Sequence, residues 1–591
     1  MVVSTRPSGA ARWAAARHRS HSRGDTTRLR VLWLLAVALL LASTIWVRLA
    51  YWQVAQHAFL SDRAADYHLR QVALPAVRGA IYDRDMNPLA VNTTVYDVTL
   101  SPRDVKPQSR ARIADSLASV LGVPRQGVMD LLESDKAFAY VKKRQPKEVA
   151  DRIAALDLPG VGLDPQPERK YLPGGTPEIS LASSLLGFVN YGGRGQQGVE
   201  QWYNDRLAGR AGYEIAYHDP TGKEITLSKQ KLQEPVDGTN LVLTIDSSVQ
   251  YAAEQAIADG VRNNRAVSGS ALVMDSKTGE IVAWADYPAY DANKFSATDT
   301  GRLRDPIVAD LYEPGSVMKV VTLAGAIDQG RITPSTIIQD PGYIVVGGNV
   351  LHDWDGANHG AVSMTNVLER SLNVGAVKAQ QAEGPDAFLR YLDAFGFTKP
   401  SGVDVTGETP PRLQPQWRAT ELATASFGQG VAVNMVQMCA AVNVIANGGR
   451  WVQPHVVRQI GEARPRPPGQ RQVVSQQTAS AMTQMMASVV QHGSGYMARV
   501  QGFEQNQAGK TGTSEMPEAR RYSHDHVWAS YVGFLPADNP RFTMLVVVRR
   551  PDNGSSDHNE GYFVSAPIWK RIAEQIIPRW RITPGPVSPS N

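Results

Sequence analysis

Across 591 residues there is a single cysteine, Cys439. That excludes an intramolecular disulfide and a multi-cysteine metal site. Cys439 lies in an apolar helical stretch, where a thiol reads as core. No internal repeat is found, so solenoids and propellers are excluded. Outside the first 30 residues there is no excess of one charge sign. Residues 1–30 hold seven arginines and one aspartate, whereas the whole chain carries a net charge of only +5. The remainder is close to neutral, which argues against a nucleic-acid-binding body. With 43% apolar and 20% charged residues the chain is also not of disordered composition. A second long apolar run is missing too. The one present, "VLWLLAVALLLASTIWV" at residues 31–47, is bracketed by Arg30 and Arg48. It is just long enough to span a bilayer with snorkelling arginines. The arginine-rich flank is expected to stay cytoplasmic and the long remainder to cross. A cleaved signal peptide competes, but the run is long for one and bulky "IWVRLAYW" overlaps its end. An uncleaved single-pass anchor at residues 31–50 is the expectation.

Beyond the anchor, "VRGAIYDRDMNPLAVN" reads as two strands around an 83–88 turn. Residues 104–156 have helical patterning, and 187–212 are Gly-rich. Polar residues 225–238 look like a boundary. The expected division is a basic tail (1–30), an anchor (31–50), a non-catalytic pedestal (51–235), a second domain (236–580) and a flexible tail (581–591). The second domain opens with the strand "TNLVLTI" and Asp246 as N-cap of "SSVQYAAEQAI". "SALVMDSKTGEIVAWAD" is a hairpin signal around residues 276–279. Residues 306–450 are mostly helical in pattern. Two strands then flank a turn near Asp538, Asn539 and Pro540, and Ile568, Ile572 and Ile576 mark a closing helix. Strands from both ends with helices between predict an α+β fold: one mainly antiparallel sheet, helices on its faces, and an inserted helical subdomain.

Three short patterns occur in order. In "YEPGSVMKV" a Pro-Gly pair precedes Ser316, and Val320, Leu323, Ala324 and Ile327 repeat at helical spacing behind it. A helix therefore begins near Ser316, and Lys319, three residues on, shares its face. Alone, the pair is better read as an N-cap and a solvated lysine. "SLN" follows at Ser371, Leu372 and Asn373, and "KTGT" at Lys510, Thr511, Gly512 and Thr513. As an ordered set on a helix, a loop and a strand, S-x-x-K, S-x-N and K-T-G are far more specific than any one of them.

With these motifs the chain resembles the penicillin-binding proteins, the serine transpeptidases of peptidoglycan, and looks like class B with its pedestal. "RGAIYDRD", "GQQGVEQWYNDRLAG", "EPGSVMK", "ATASFGQG" and "IANGG" carry the same likeness. The resemblance implies a penicillin-binding transpeptidase fold and a serine acyl-enzyme on a D-Ala-D-Ala stem peptide. Ser316 Oγ would be the nucleophile and Lys319, kept neutral by burial and nearby positive charge, its base. Ser371 and Lys510 would return a proton to the leaving D-alanine, and Asn373 would bind the substrate backbone. Thr511 and Thr513 would hold the terminal carboxylate. Gly512, lacking a Cβ, would let the substrate approach the edge strand. The backbone N–H groups of Ser316 and Thr513 would form the oxyanion hole. No cofactor or metal is implied. Implied partners are stem peptides on lipid-linked precursor strands, β-lactams, a SEDS-type glycosyltransferase and divisome membrane proteins, at the cell membrane. Residues 51–235 lack the Glu-Asp-x-x-Phe signature of a glycosyltransferase.

Departures are modest. Val317 and Leu372 replace a common threonine and serine and are expected to face the protein; Asn434 stands at a helix start, where it caps. His524-Asp525-His526 reads as a polar loop, and His352 and His359 with Asp353 and Asp355 as cleft rim or plain loop. Trp354 reads as a packed aromatic. The layout leans toward septal synthesis in cell division. An elongation-type transpeptidase, a D,D-carboxypeptidase, a β-lactamase and a β-lactam sensor share the chemistry or fold.

Overall fold

A computed structural model describes residues 13–60, 69–217, 231–518, 521–554 and 559–584. Two compact units emerge. The first comprises 1–75 and 211–236. Its helix Trp13–Ala50 runs on into a π-helical turn at Tyr51–Ala55. The stretch Arg28–Ala55 is long and apolar enough to cross a membrane, several residues longer than the charge-free run alone. The same unit holds a three-stranded antiparallel sheet of Leu69–Leu74, Gly212–Tyr217 and Lys231–Gln233. The first twelve residues and the tail 585–591 lie outside the described residues. Ile582, expected in a flexible tail, is instead buried against the last helix's apolar cluster.

The second unit comprises 76–210 and 237–591, so most of the expected pedestal packs with the second domain. One six-stranded sheet joins them. Ile81–Tyr82, Pro88–Leu100, Ala139–Gln145 and Val161–Tyr171 are joined by Leu241–Leu243 and Val457–Ile460, from beyond residue 235. The expected turn between 82 and 88 is present: buried Asp83 accepts from the backbone of Asp85 and Asn87 and from the Ser247 hydroxyl. Ala139–Gln145 interrupts the helical pattern of 104–156. Its Tyr140 and Val141 suit a strand, and pairing with Pro88–Leu100 decides the matter.

The part beyond residue 236 is built on α1 (Ser247–Asn263), β1 (Ser268–Asp275), β2 (Ile281–Tyr287), α2 (Lys319–Asp328), α3 (Asn373–Glu383), α4 (Met435–Ala446), α5 (Gln476–His492), β3 (Ala508–Glu518), β4 (Arg521–Leu535), β5 (Phe542–Arg549) and α6 (Ser565–Arg579). The sheet order is β2-β1-β5-β4-β3, all antiparallel, with β3 at an edge. Strand alternation sorts the core into two layers. Ala271, Val273, Met544, Val546 and Tyr531 face α1 and α6, meeting Val249, Ile257, Trp569 and Ile572. Leu272, Met274, Leu545, Val547 and Val532 face the other way, toward Val320, Leu323, Met438 and Val442 of α2 and α4. Both faces are covered, which is why these strands are apolar at nearly every position. The caps are where local chemistry puts them: Asp246 accepts from Ser248 and Val249, and Asn434 forms a capping box with Gln437. Cys439 is core.

Between α2 and α3 the chain makes two small ribbons that helical patterning does not predict: Ile337–Asp340 with Gly360–Ser363, and Tyr343–Val346 with Asn349–His352. The second turns on Gly347 and Gly348, both at positive φ. A Gly-Gly pair between Val345-Val346 and Val350-Leu351 is a hairpin signal.

Candidate active site

A 3-10 turn, Gly315–Met318, leads into α2. Gly315 has φ +54°, and a Cβ there would lie 2.7 Å from the Thr513 carbonyl oxygen. Only glycine lets this turn pack against β3. Val317 and Met318 are buried and pin the turn from behind, leaving Ser316 half-buried at its outer side. Lys319 opens α2, one turn on, fully buried. The turn is also held by Glu313. Its carbonyl accepts from the Ser514 hydroxyl at 2.6 Å, and its carboxylate accepts from Gly430 N–H at 2.9 Å and from the Tyr522 hydroxyl at 3.1 Å.

Ser371 sits at φ +61°, a conformation that costs a non-glycine residue of order 1–3 kcal/mol and marks over-determined sites. Leu372 behind it is buried. Asn373 begins α3. The Lys319 amine lies 3.0 Å from Ser316 Oγ, 3.3 Å from Ser371 Oγ and 2.8 Å from Asn373 Oδ1, and donates to the Ser371 carbonyl at 2.5 Å. From the other side, alternation along β3 puts Lys510 on the same face as the buried Ala508, toward α2. Its amine is 2.9 Å from Ser371 Oγ and 2.8 Å from the Thr511 carbonyl. Ser371 thus bridges the two lysines.

Burial dominates the electrostatics. It drives the Lys319 ammonium well below its ordinary value, and the positive charge of Lys510 adds to this, while Asp353 opposes it. Burial brings Lys510 down to about 7, with Glu560 opposing. A lysine whose hold on its proton is weakened in this way is suited to accept one from the hydroxyl beside it, and Lys510, near 7, is suited to give one.

Thr511 Oγ1 is 2.8 Å from Ser494 Oγ, and Thr513 Oγ1 accepts from Gly561 N–H at 3.2 Å. At Gly512 a Cβ would lie 2.4 Å from Ser530 Oγ and 2.8 Å from Val317 Cγ2. The packing of β3 against β4 and the Ser316 turn therefore itself demands glycine.

Sequence reasoning missed the residues that hold Asn373. Asp353, buried, accepts from the backbone N–H groups of Asn373 and Val374, and the His352 carbonyl accepts from Asn373 Nδ2 at 2.9 Å. No local signal reveals this, because loop and helix start lie twenty residues apart. Glu313 and Ser494 likewise carry no local signal, because their partners Ser514 and Gly430, and Thr511, are distant in sequence. Trp354 is not packed: it is 66% exposed, with its indole N–H donating to the Arg370 carbonyl at 3.0 Å. His359 pairs with Asp355 at 3.2 Å and the His352 ring stands against Tyr343. His524-Asp525-His526 falls within strand β4 rather than in a loop, and the side chains of His524 and Asp525 lie outside those described. Among the described residues no cluster of three or more His, Cys, Asp or Glu is placed to hold a metal.

A family model for the penicillin-binding protein transpeptidase domain matches residues 269–574, and one for the penicillin-binding protein dimerisation domain matches 73–243. The chain belongs to the penicillin-binding protein transpeptidase family. A dimerisation domain ahead of the transpeptidase domain makes it the class B type. It is 30% identical to the probable peptidoglycan D,D-transpeptidase PbpC of Pseudomonas aeruginosa over 93% of this chain and 95% of that one. It is likewise 30% identical to the peptidoglycan D,D-transpeptidase FtsI of Escherichia coli, over 93% of this chain and 91% of that one. Among solved structures it is similar to penicillin-binding protein 3 of Mycobacterium tuberculosis in complex with aztreonam. That match has a TM-score of 0.67 and 27% identity, and covers 87% of this chain and 98% of that one.

Proposed function

We propose that this chain is a membrane-anchored peptidoglycan D,D-transpeptidase of the FtsI-like type that works through an acyl-enzyme on Ser316. The observation that carries this is the placement of the Lys319 amine 3.0 Å from Ser316 Oγ, with Lys510 2.9 Å from Ser371 Oγ across the cleft. Ser316 Oγ attacks the carbonyl carbon of the penultimate D-alanine, and its proton passes to neutral Lys319. The carbonyl oxygen, now an oxyanion, is held by the N–H groups of Ser316 and Thr513, donors of a kind worth about 3–4 kcal/mol each. Collapse of the intermediate breaks the peptide bond. The leaving amine takes a proton from Ser371, which Lys510 replaces. D-Alanine departs. An amine of a neighbouring stem peptide then attacks the ester carbonyl and gives up a proton through Ser371 to Lys510; the ester bond breaks, Ser316 Oγ takes back the proton held by Lys319, and the cross-link is complete. Thr511 and Thr513 bind the terminal carboxylate, and Asn373 the donor backbone, along edge strand β3.

In this reading residues 1–30 are cytoplasmic and 31–50 span the membrane. Residues 51–235 form the pedestal that meets partners, and 236–580 carry the chemistry outside the cell. Strand polymerisation comes from a SEDS-type glycosyltransferase partner, and the enzyme works with divisome membrane proteins in septal wall synthesis, inhibited covalently by β-lactams. Likeness to FtsI and PbpC across nine-tenths of the chain supports the class and the anchor. Mass spectrometry of the full-length protein after incubation with penicillin tests the chemistry: an adduct on the peptide bearing Ser316 is expected, and an adduct elsewhere would refute the assignment. A fluorescent fusion tests the role: mid-cell signal is expected, and a sidewall pattern would favour elongation.

A further inference from the structure

The loop before α3 holds a buried carboxylate that no step above uses. Asp353 is 4% exposed, at the end of the ribbon Tyr343–Val346 with Asn349–His352. One of its oxygens, Oδ1, receives both the Asn373 N–H and, at 3.0 Å, the Val374 N–H. These are the first two N–H groups of α3, which have no partner within their own helix. A carboxylate there also matches the helix dipole. Asp353 is itself held by its own N–H on the Gly342 carbonyl at 3.0 Å. Its second oxygen is enclosed without an N–H or O–H donor of its own, as is one oxygen of Asp340. Burial first, and then Asp353, push Asp340 up to about 6.

The consequence falls on the catalytic groups. Asn373 is gripped at three points: its N–H by Asp353, its Nδ2 by the His352 carbonyl, its Oδ1 by the Lys319 amine. The field of Asp353 also reaches Lys319 and favours its protonated form, against burial and Lys510. Other ionisable groups around the pair are His359, whose charge acts on Asp340, then Asp355 beside His359, and Lys378 of α3, which donates to the Gln339 carbonyl.

We propose that Asp353 is a positioning residue of the acylation reaction, which caps α3 to fix Asn373 against Lys319 and sets the electrostatic field at the Lys319 amine. The proposal rests on the reading of Ser316 and Lys319 given above. It separates two contributions, and two substitutions take them apart. Asparagine caps a helix about as well as aspartate but carries no charge; alanine does neither.

The test is the rate of acylation of the full-length protein in detergent by a fluorescent penicillin, followed from pH 5 to 9. Asp353→Ala is expected to slow acylation by about 10²-fold, the scale on which small displacements of reacting groups act. Asp353→Asn is expected to recover most of that rate. Its acid limb should move to lower pH, because Lys319 without a neighbouring negative charge loses its proton more readily. A wild-type rate and pH profile for Asp353→Ala would overturn the proposal. So would an Asn variant as slow as the Ala one with an unmoved acid limb, which is what a merely structural role predicts. If Asp353→Ala does not fold, the acid limb of Asp353→Asn decides. Retention of labelling by Ser316→Ala would instead undo the underlying reading of the site, and so the two failures are distinguishable.

Discussion

The two sides of the cleft each present one fully buried lysine, yet they do so by different means. Lys319 comes from the helix side. It is the first residue of a mostly apolar helix, and its amine is surrounded by oxygens of Ser316, Ser371 and Asn373. Lys510 comes from the sheet side, carried on edge strand β3 by alternation alone, with its own neighbour's carbonyl and the Ser371 hydroxyl as partners. Burial lowers both, but only Lys319 feels a second cation as a main further cause. Equal burial therefore does not give equal roles. Burial weakens the helix-side amine's hold on a proton and the sheet-side cation weakens it further, whereas the sheet-side amine, near 7, can hold a proton or release it.

That asymmetry can be broken in stages. The largest effect is expected for Ser316→Ala, which removes the hydroxyl 3.0 Å from the Lys319 amine. Covalent labelling by a fluorescent penicillin should vanish while the melting temperature stays near wild type; full labelling would end the assignment. Lys319→Ala should come next, with acylation slowed by about 10³–10⁴-fold in stopped-flow measurements, the upper range for a general base. Unchanged rates would show that the proton goes elsewhere.

Lys510→Met sharpens the comparison twice. Acylation should fall by about 10²-fold, the lower range for a proton-transfer group. The acid limb of its pH profile should move to higher pH, because Lys319 loses the cation that lowers it. A limb shifted the other way would contradict the coupling. The same variant reports on stability. Lys510 has an ordinary value of 10.5 when unfolded and about 7 when folded. Between these pH values the unfolded chain binds more protons, so wild-type stability falls as pH drops from about 10.5 to 7 and levels below that. Lys510→Met should lack this contribution and should gain more in melting temperature over wild type at pH 7 than at pH 10.5. Equal gains at both would refute it. The smallest effect is away from the cleft: Asn434→Ala removes a capping box at the start of α4. It should cost about 1 kcal/mol in denaturant unfolding, with acylation unchanged; a loss of acylation would show that α4 is coupled to the site.

Much of this molecule is written in short-range signals. Pro314-Gly315 before a period-3.6 apolar run puts Ser316 and Lys319 at one helix start, and the ordered motif set with its family resemblance puts "KTGT" on a strand. Asp246 and Asn434 cap helices because a side-chain oxygen reaches N–H groups two or three residues away, wherever the helix lies. These features depend on neighbours within a few residues, so the sequence by itself determined them. Tertiary structure alone decided the rest. Leu241–Leu243 joins a sheet with Ile81–Tyr82 because edge N–H and C=O groups need partners, and the partner lies 160 residues away. Asp353 meets α3, and Glu313 meets Gly430, across loops whose closure no local pattern encodes. Gly512 reads as open space in sequence, but Ser530 and Val317 occupy that space once the strand is packed. The lowered proton affinity of both lysines is of the same kind. A lysine has an ordinary value in the chain, and only the removal of water around its amine, by residues drawn from every part of the fold, takes it down.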